Sequence, residues 1–81
     1  MANSNDSIYV QLKNIELGRK ALLCRDKINR PLEKKLLALG FSNLIPLSVT
    51  QKRKGGLVVS VGNARIALND ALASQVVLTY L

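Results

Sequence analysis

Catalysis and metal binding need side chains that hold a proton, a nucleophile or a cation near neutral pH, and this chain is almost bare of them. Its 81 residues include no histidine and a single cysteine. The commonest general base and transition-metal ligand is therefore missing, and Cys24 alone cannot build a thiolate zinc site. The carboxylates of Asp6, Glu16, Asp26, Glu33 and Asp70 are scattered, none two or three residues from another, so no local acid–base pair exists. Gly55-Gly56 is followed by a strand-like run and lacks the Gly-Lys-Ser/Thr step of a phosphate loop. These absences argue against an enzyme and against any resident metal or cofactor. Cys24, among Leu22 and Leu23, reads as a packed thiol rather than a reactive one.

What the chain carries instead is positive charge, +7 in all. No acidic residue lies between Glu33 and Asp70, whereas Lys34, Lys35, Lys52, Arg53, Lys54 and Arg65 all do. Such a field attracts nucleic acid, an anionic leaflet or an acidic protein face. The candidate partner-binding residues are Lys52, Arg53 and Lys54 with the adjoining Gly55 and Gly56, and Lys34 and Lys35 on a helix. Phe41, just beyond that helix, is a candidate apolar anchor. Each has a plainer reading. Charge at a hairpin tip confers solubility, and a residue just past a helix cap commonly folds back on the last turn.

The elements that must position these residues follow from local pattern. Residues 1–7 are small and polar and read as a disordered tail; residues 8–81 read as a single domain. Residues 8–12 alternate, with Ile8, Val10 and Leu12 on one side, as a short strand does. Residues 20–25 read as a strand apolar on both faces and so covered on both. Asn29-Arg30-Pro31 is a helix start, because proline in the first turn forgoes an N–H that has no intrahelical partner. Leu32, Leu36 and Leu39 recur at helical spacing and are expected to face the core, with Gly40 as the left-handed cap. Residues 46–52 alternate again, Leu47 and Val49 inward, and residues 53–56 form a loop.

From Gly55 the chain reads strand, Gly62-Asn63 turn, strand, one helical turn capped by Asn69, strand. Glycine first in the Gly62-Asn63 pair suits a type II′ hairpin, which needs φ > 0 there. Leu23, Leu36, Leu39, Val49, Val59, Ile66, Leu68 and Val76 are the expected core. This order is the closing half of a small SH3-like barrel, mainly β, with an inserted α-helix and one short C-terminal helical turn. Eighty-one residues allow one domain, and a chain this short buries only about 60% of its unfolded surface, too little for a deep pocket. No apolar run approaches the ~20 residues of a membrane span.

The run Val61-Gly62, Arg65-Ile66-Ala67-Leu68, then Ala73, Val76 and Leu78, resembles the C-terminal signature of the FeoA family, ferrous iron transport protein A. Leu12, Ile15, Gly18 and Ala21 match its N-terminal pattern, and Leu36, Leu39, Gly40 and Phe41 its helix end. The matches span residues 12–78. Where that family has an apolar Pro-Leu-Gly-x-Pro hairpin, this chain has Lys52-Arg53-Lys54-Gly55-Gly56, and Asn43-Leu44 replaces its usual Pro-Gly. The resemblance implies a cytoplasmic accessory protein of a ferrous iron uptake system. Its implied partner is a large membrane transporter with a cytoplasmic GTP-binding domain, so membrane contact comes only through the transporter. The alternative is a small basic nucleic-acid-binding barrel, which the charge favours. Its stacking equipment is limited to Tyr9, Phe41 and Tyr80, widely separated along the chain.

Overall fold

The computed structural model describes residues 9–81; the expected tail and Ile8 lie outside the described residues. Six antiparallel strands form one sheet: β1 (Tyr9–Gln11), β2 (Lys20–Leu23), β3 (Leu47–Arg53), β4 (Gly56–Val61), β5 (Ala64–Asn69) and β6 (Val77–Tyr80), in the spatial order β1-β6-β2-β3-β4-β5. Alternation along β3, β4 and β5 sends Leu47, Val49, Leu57, Val59, Val61, Ile66 and Leu68 to one face, where they join Leu23, Val76 and Leu78 in a single aliphatic core. The sheet curls around that core as an SH3-like barrel.

The β3–β4 hairpin is shorter than the sequence suggests. Arg53 and Gly56 pair across β3 and β4, leaving only Lys54-Gly55 as the turn. Gly56 has no room for a side chain: a Cβ there would stand 2.5 Å from the carbonyl oxygen of Leu68. The Gly62-Asn63 turn is as expected, with the positive φ on Gly62 and Val61 paired to Ala64. A bulge between Val49 and Gln51 bends β3 midway, and the Thr50 hydroxyl donates to the Val58 carbonyl beside it.

The helix α1 (Arg30–Leu39) joins β2 to β3. Asn29 caps its start, its Oδ1 accepting from the Leu32 N–H at 2.8 Å, and Leu32 and Leu36 are buried. At the other end Gly40 turns left-handed (φ 118°), which lets its own N–H and that of Phe41 reach the carbonyls of Leu37 and Leu36. Helical spacing expects Leu39 in the core; it is 43% exposed. The space beneath the last turn is taken instead by Phe41, 3% exposed, and by the Ile66 side chain against Gly40.

A second short helix, α2 (Asp70–Ala73), is capped as expected by Asn69, whose Oδ1 accepts from the Leu72 N–H at 2.8 Å. The strand expected over residues 20–25 stops at Leu23, where a 3-10 turn, Arg25–Lys27, begins. Its two faces are not covered alike: Ala21 and Leu23 are buried, whereas Leu22 and Cys24 are only half-buried.

Candidate partner-binding surface

The β3–β4 hairpin projects the cations in a short stretch of backbone. Lys52 pairs with Leu57 and Arg53 with Gly56, so alternation sends neighbouring cations to opposite faces of the ribbon. All three are exposed. Arg53 donates from Nη2 to Gln51 Oε1 at 2.8 Å, and the Asp70 N–H holds the Gly55 carbonyl at 2.9 Å, tying the turn to α2. A shallow depression beside the tip runs from Arg53 and Lys54 to Ala67 and Asn69.

Lys34 and Lys35 are exposed on α1, so the candidate cations sit on two elements, a trio on the hairpin and a pair on the helix. Phe41 leaves the set altogether. The left-handed cap folds it onto Leu36, as the plainer reading has it, and at 3% exposure it has no surface to offer a partner. Two of the apolar residues that do reach solvent lie just after it. Ser42 Oγ accepts from the N–H groups of Leu44 and Ile45, at 3.0 and 3.2 Å. That turn holds Leu44 outward at 87% exposure and Ile45 at 47%. Sequence reasoning passes over Ile45, since an apolar residue before Pro46 has no periodicity to say whether it is inside.

The remaining polar chemistry is structural. Glu33 accepts a charged hydrogen bond from Arg25 Nε at 2.6 Å, pinning the 3-10 turn to α1. The Arg25 side chain is 61% exposed, and pairs of this kind contribute about 0–1 kcal/mol. Among the described residues no three His, Cys, Asp or Glu side chains gather as a metal site. Two of the three aromatics carry a cation of the chain itself: the Arg19 guanidinium lies 3.8 Å from the Tyr80 ring centre and the Lys27 ammonium 4.9 Å from that of Tyr9. With Phe41 buried, no open stack of rings remains for nucleic-acid bases. Among the described residues no helix is long and apolar enough to cross a membrane.

The fold is that of a small SH3-like barrel with an inserted helix and a strongly basic surface. Several solved structures share it. An iron uptake regulatory protein, FeoA, superposes with a TM-score of 0.74 at 25% identity, over 91% of this chain and all of the other. A manganese-dependent transcriptional repressor does so with 0.74 at 20% identity, this chain covering 90% of itself but only 42% of the repressor. The iron(II) transport protein A of Clostridium thermocellum gives 0.73 at 22% identity, over 89% of this chain and 46% of that one. No curated protein matches. The FeoA domain matches residues 10–79, and the chain belongs to the FeoA family, small domains of ferrous iron transport that are not a known family of enzymes.

Proposed function

We propose that this protein is a cytoplasmic accessory factor of a ferrous iron uptake system. It acts by binding the cytoplasmic region of a large membrane transporter that carries a GTP-binding domain. The observation that carries the reading is FeoA membership across residues 10–79, in a chain whose described residues gather no metal-ligating cluster. Such a protein influences iron movement by contact rather than by carrying the ion. Lys52, Arg53 and Lys54, with Gly55 and Gly56 shaping the turn and Lys34 and Lys35 on the helix, are the proposed charged contacts. Charge at the rim of an interface chiefly speeds encounter and is screened by salt.

The test combines uptake and binding. Deleting the gene should lower Fe²⁺ uptake by the host, and the purified protein should bind the transporter's cytoplasmic region. Replacing Lys52, Arg53 and Lys54 together by Ser should weaken that binding most at low salt. Unchanged uptake together with no measurable association would overturn the proposal. The nucleic-acid alternative makes a separate demand, an affinity for single-stranded RNA or DNA whose logarithm falls linearly with log salt. The cations already seated over Tyr9 and Tyr80 argue against it.

A further inference from the structure

Strand pairing assembles a row of polar side chains on the outer face of the barrel, far from the hairpin tip. Lys20 of β2 lies opposite Ser48 of β3, Ser48 opposite Ser60 of β4, and Ser60 opposite Arg65 of β5. Directly opposed residues in antiparallel strands share a face, so the four stand in line across four strands: cation, hydroxyl, hydroxyl, cation. Their sequence neighbours Ala21, Leu47, Val49, Val59, Val61 and Ile66 are buried on the other face.

The row borders a concavity of about 280 Å³ that Lys20, Ser48 and Ser60 line together with Ile45, Pro46 and Gly62. Ile45 leans over Gly62, its Cγ2 3.8 Å from where a Cβ would stand. The Ser42 turn fixes this apolar ledge in place. Among the described residues neither cation has an ion-pair partner, the one such pair being Arg25 with Glu33. Ser48 and Ser60 are half-buried, and neither hydroxyl is engaged by another described residue.

We infer that this row and its ledge are a docking site for an acidic, extended segment of a protein partner. The spacing suits a polypeptide. Three steps of about 4.8 Å between strands put Lys20 and Arg65 roughly 14 Å apart along the sheet, and carboxylates four residues apart on one side of an extended chain are about 13 Å apart. The residue between them lies over the serine hydroxyls, which can donate to a carboxylate or carbonyl. The methylene groups of a glutamate on that same side have Ile45 to cover. A second copy of this chain would bring like charges together at Lys20 and Arg65. A flat anionic membrane would leave the concavity empty. The site lies at the opposite end of β3 from the hairpin and does not depend on which protein supplies the segment.

The probe is a terminally blocked peptide alternating Glu with Val, titrated into the ¹⁵N-labelled full chain. The comparators are the same peptide with Gln for Glu, and phosphatidylglycerol vesicles. Amide shifts should concentrate at Ile45, Ser48, Ser60, Gly62 and Arg65, and spare residues 52–55. The Gln peptide, and the Lys20→Gln/Arg65→Gln double variant with the Glu peptide, should each bind about tenfold more weakly, the scale of a lost charged contact. Ile45→Ser should also weaken binding, whereas the Ser replacements at 52, 53 and 54 should leave it within about twofold. An unchanged amide spectrum certifies the fold of each variant. The inference is overturned if the shifts map to the hairpin, if the Gln peptide binds equally, if vesicles bind and the peptide does not, or if the face proves to close a dimer that Ile45→Ser dissolves. Loss of transporter association with peptide binding intact would remove the transporter reading and leave this site standing.

Discussion

The two ends of β3 are built in opposite ways. At its C-terminal end the chain turns through Lys54-Gly55 and pairs at once with its own continuation, Arg53 against Gly56 and Lys52 against Leu57. Most of what shapes the cationic tip lies within a few residues, the distant contacts being those of Gly55 with Asp70 and of Gly56 with Leu68 and Asn69. At the N-terminal end, the ledge of Leu44, Ile45 and Pro46 depends on a helix packed from elsewhere. It needs a left-handed cap that redirects the chain and a hydroxyl that holds the turn. The row beside it needs four strands in register. A surface made by a local turn shows itself as a charge run in the sequence. A surface made by pairing distant strands does not.

Substitutions at the two ends should break in different ways. The largest effect is expected at Leu36, fully buried under the helix that carries the ledge. Leu36→Ala should destabilise by about 2–5 kcal/mol in denaturant melts. A loss under roughly half a kcal/mol, the level of a surface change, would show that α1 does not seat as described and that both ends are local. Next is Gly56→Ala at the hairpin base. Its Cβ would meet the Leu68 carbonyl at 2.5 Å, and forcing strands apart by such overpacking costs about 1–3 kcal/mol. Its amide shifts should stay near β4 and β5; changes reaching the ledge would erase the distinction between the ends.

Gly40→Ala should be milder. It places a side chain at φ 118° with its Cβ 3.3 Å from Ile66 Cδ1, and a left-handed residue costs about 1–2 kcal/mol. Its mark should be selective, with shifts at Phe41, Leu44 and Ile45 and none at the hairpin. Equal disturbance at residues 52–55 would count against the separation. The smallest effect belongs to the joint replacement of Lys52, Arg53 and Lys54 by Ser. These are exposed side chains, so thermal melts should move by no more than the equivalent of about 0.5 kcal/mol. A larger drop would make the tip part of the structural frame.

Local signals were legible because local chemistry produced them. Asn29 and Asn69 stand before helices and cap them, and the Gly62-Asn63 turn has its positive φ on glycine. Apolar alternation in β3 to β5 separates Leu47, Val49, Val59, Ile66 and Leu68 from the solvent, since a strand has only two faces. Leu39 shows the limit of such local pattern. Its spacing is right for the core, but spacing says nothing of Phe41 taking that space first. The apolar neighbours of Cys24 predict a packed thiol; it is half-buried, since the strand ends before it.

By itself, then, the sequence determined the kind of object: a short aliphatic chain with glycine turns, helix caps and two-residue alternation, lacking histidine and rich in positive charge. It also held the FeoA pattern. Those properties are encoded within a few residues of one another, where backbone preference and the burial of apolar side chains act directly. Only the tertiary structure decided which surfaces the charges and apolar side chains form. It placed Lys20 and Arg65 in one line through strands far apart in sequence, withdrew Phe41 and brought Leu44 and Ile45 to the rim. Strand register and helix seating settle such matters. Both arise from packing one core as a whole, and no local stretch of the chain contains that information.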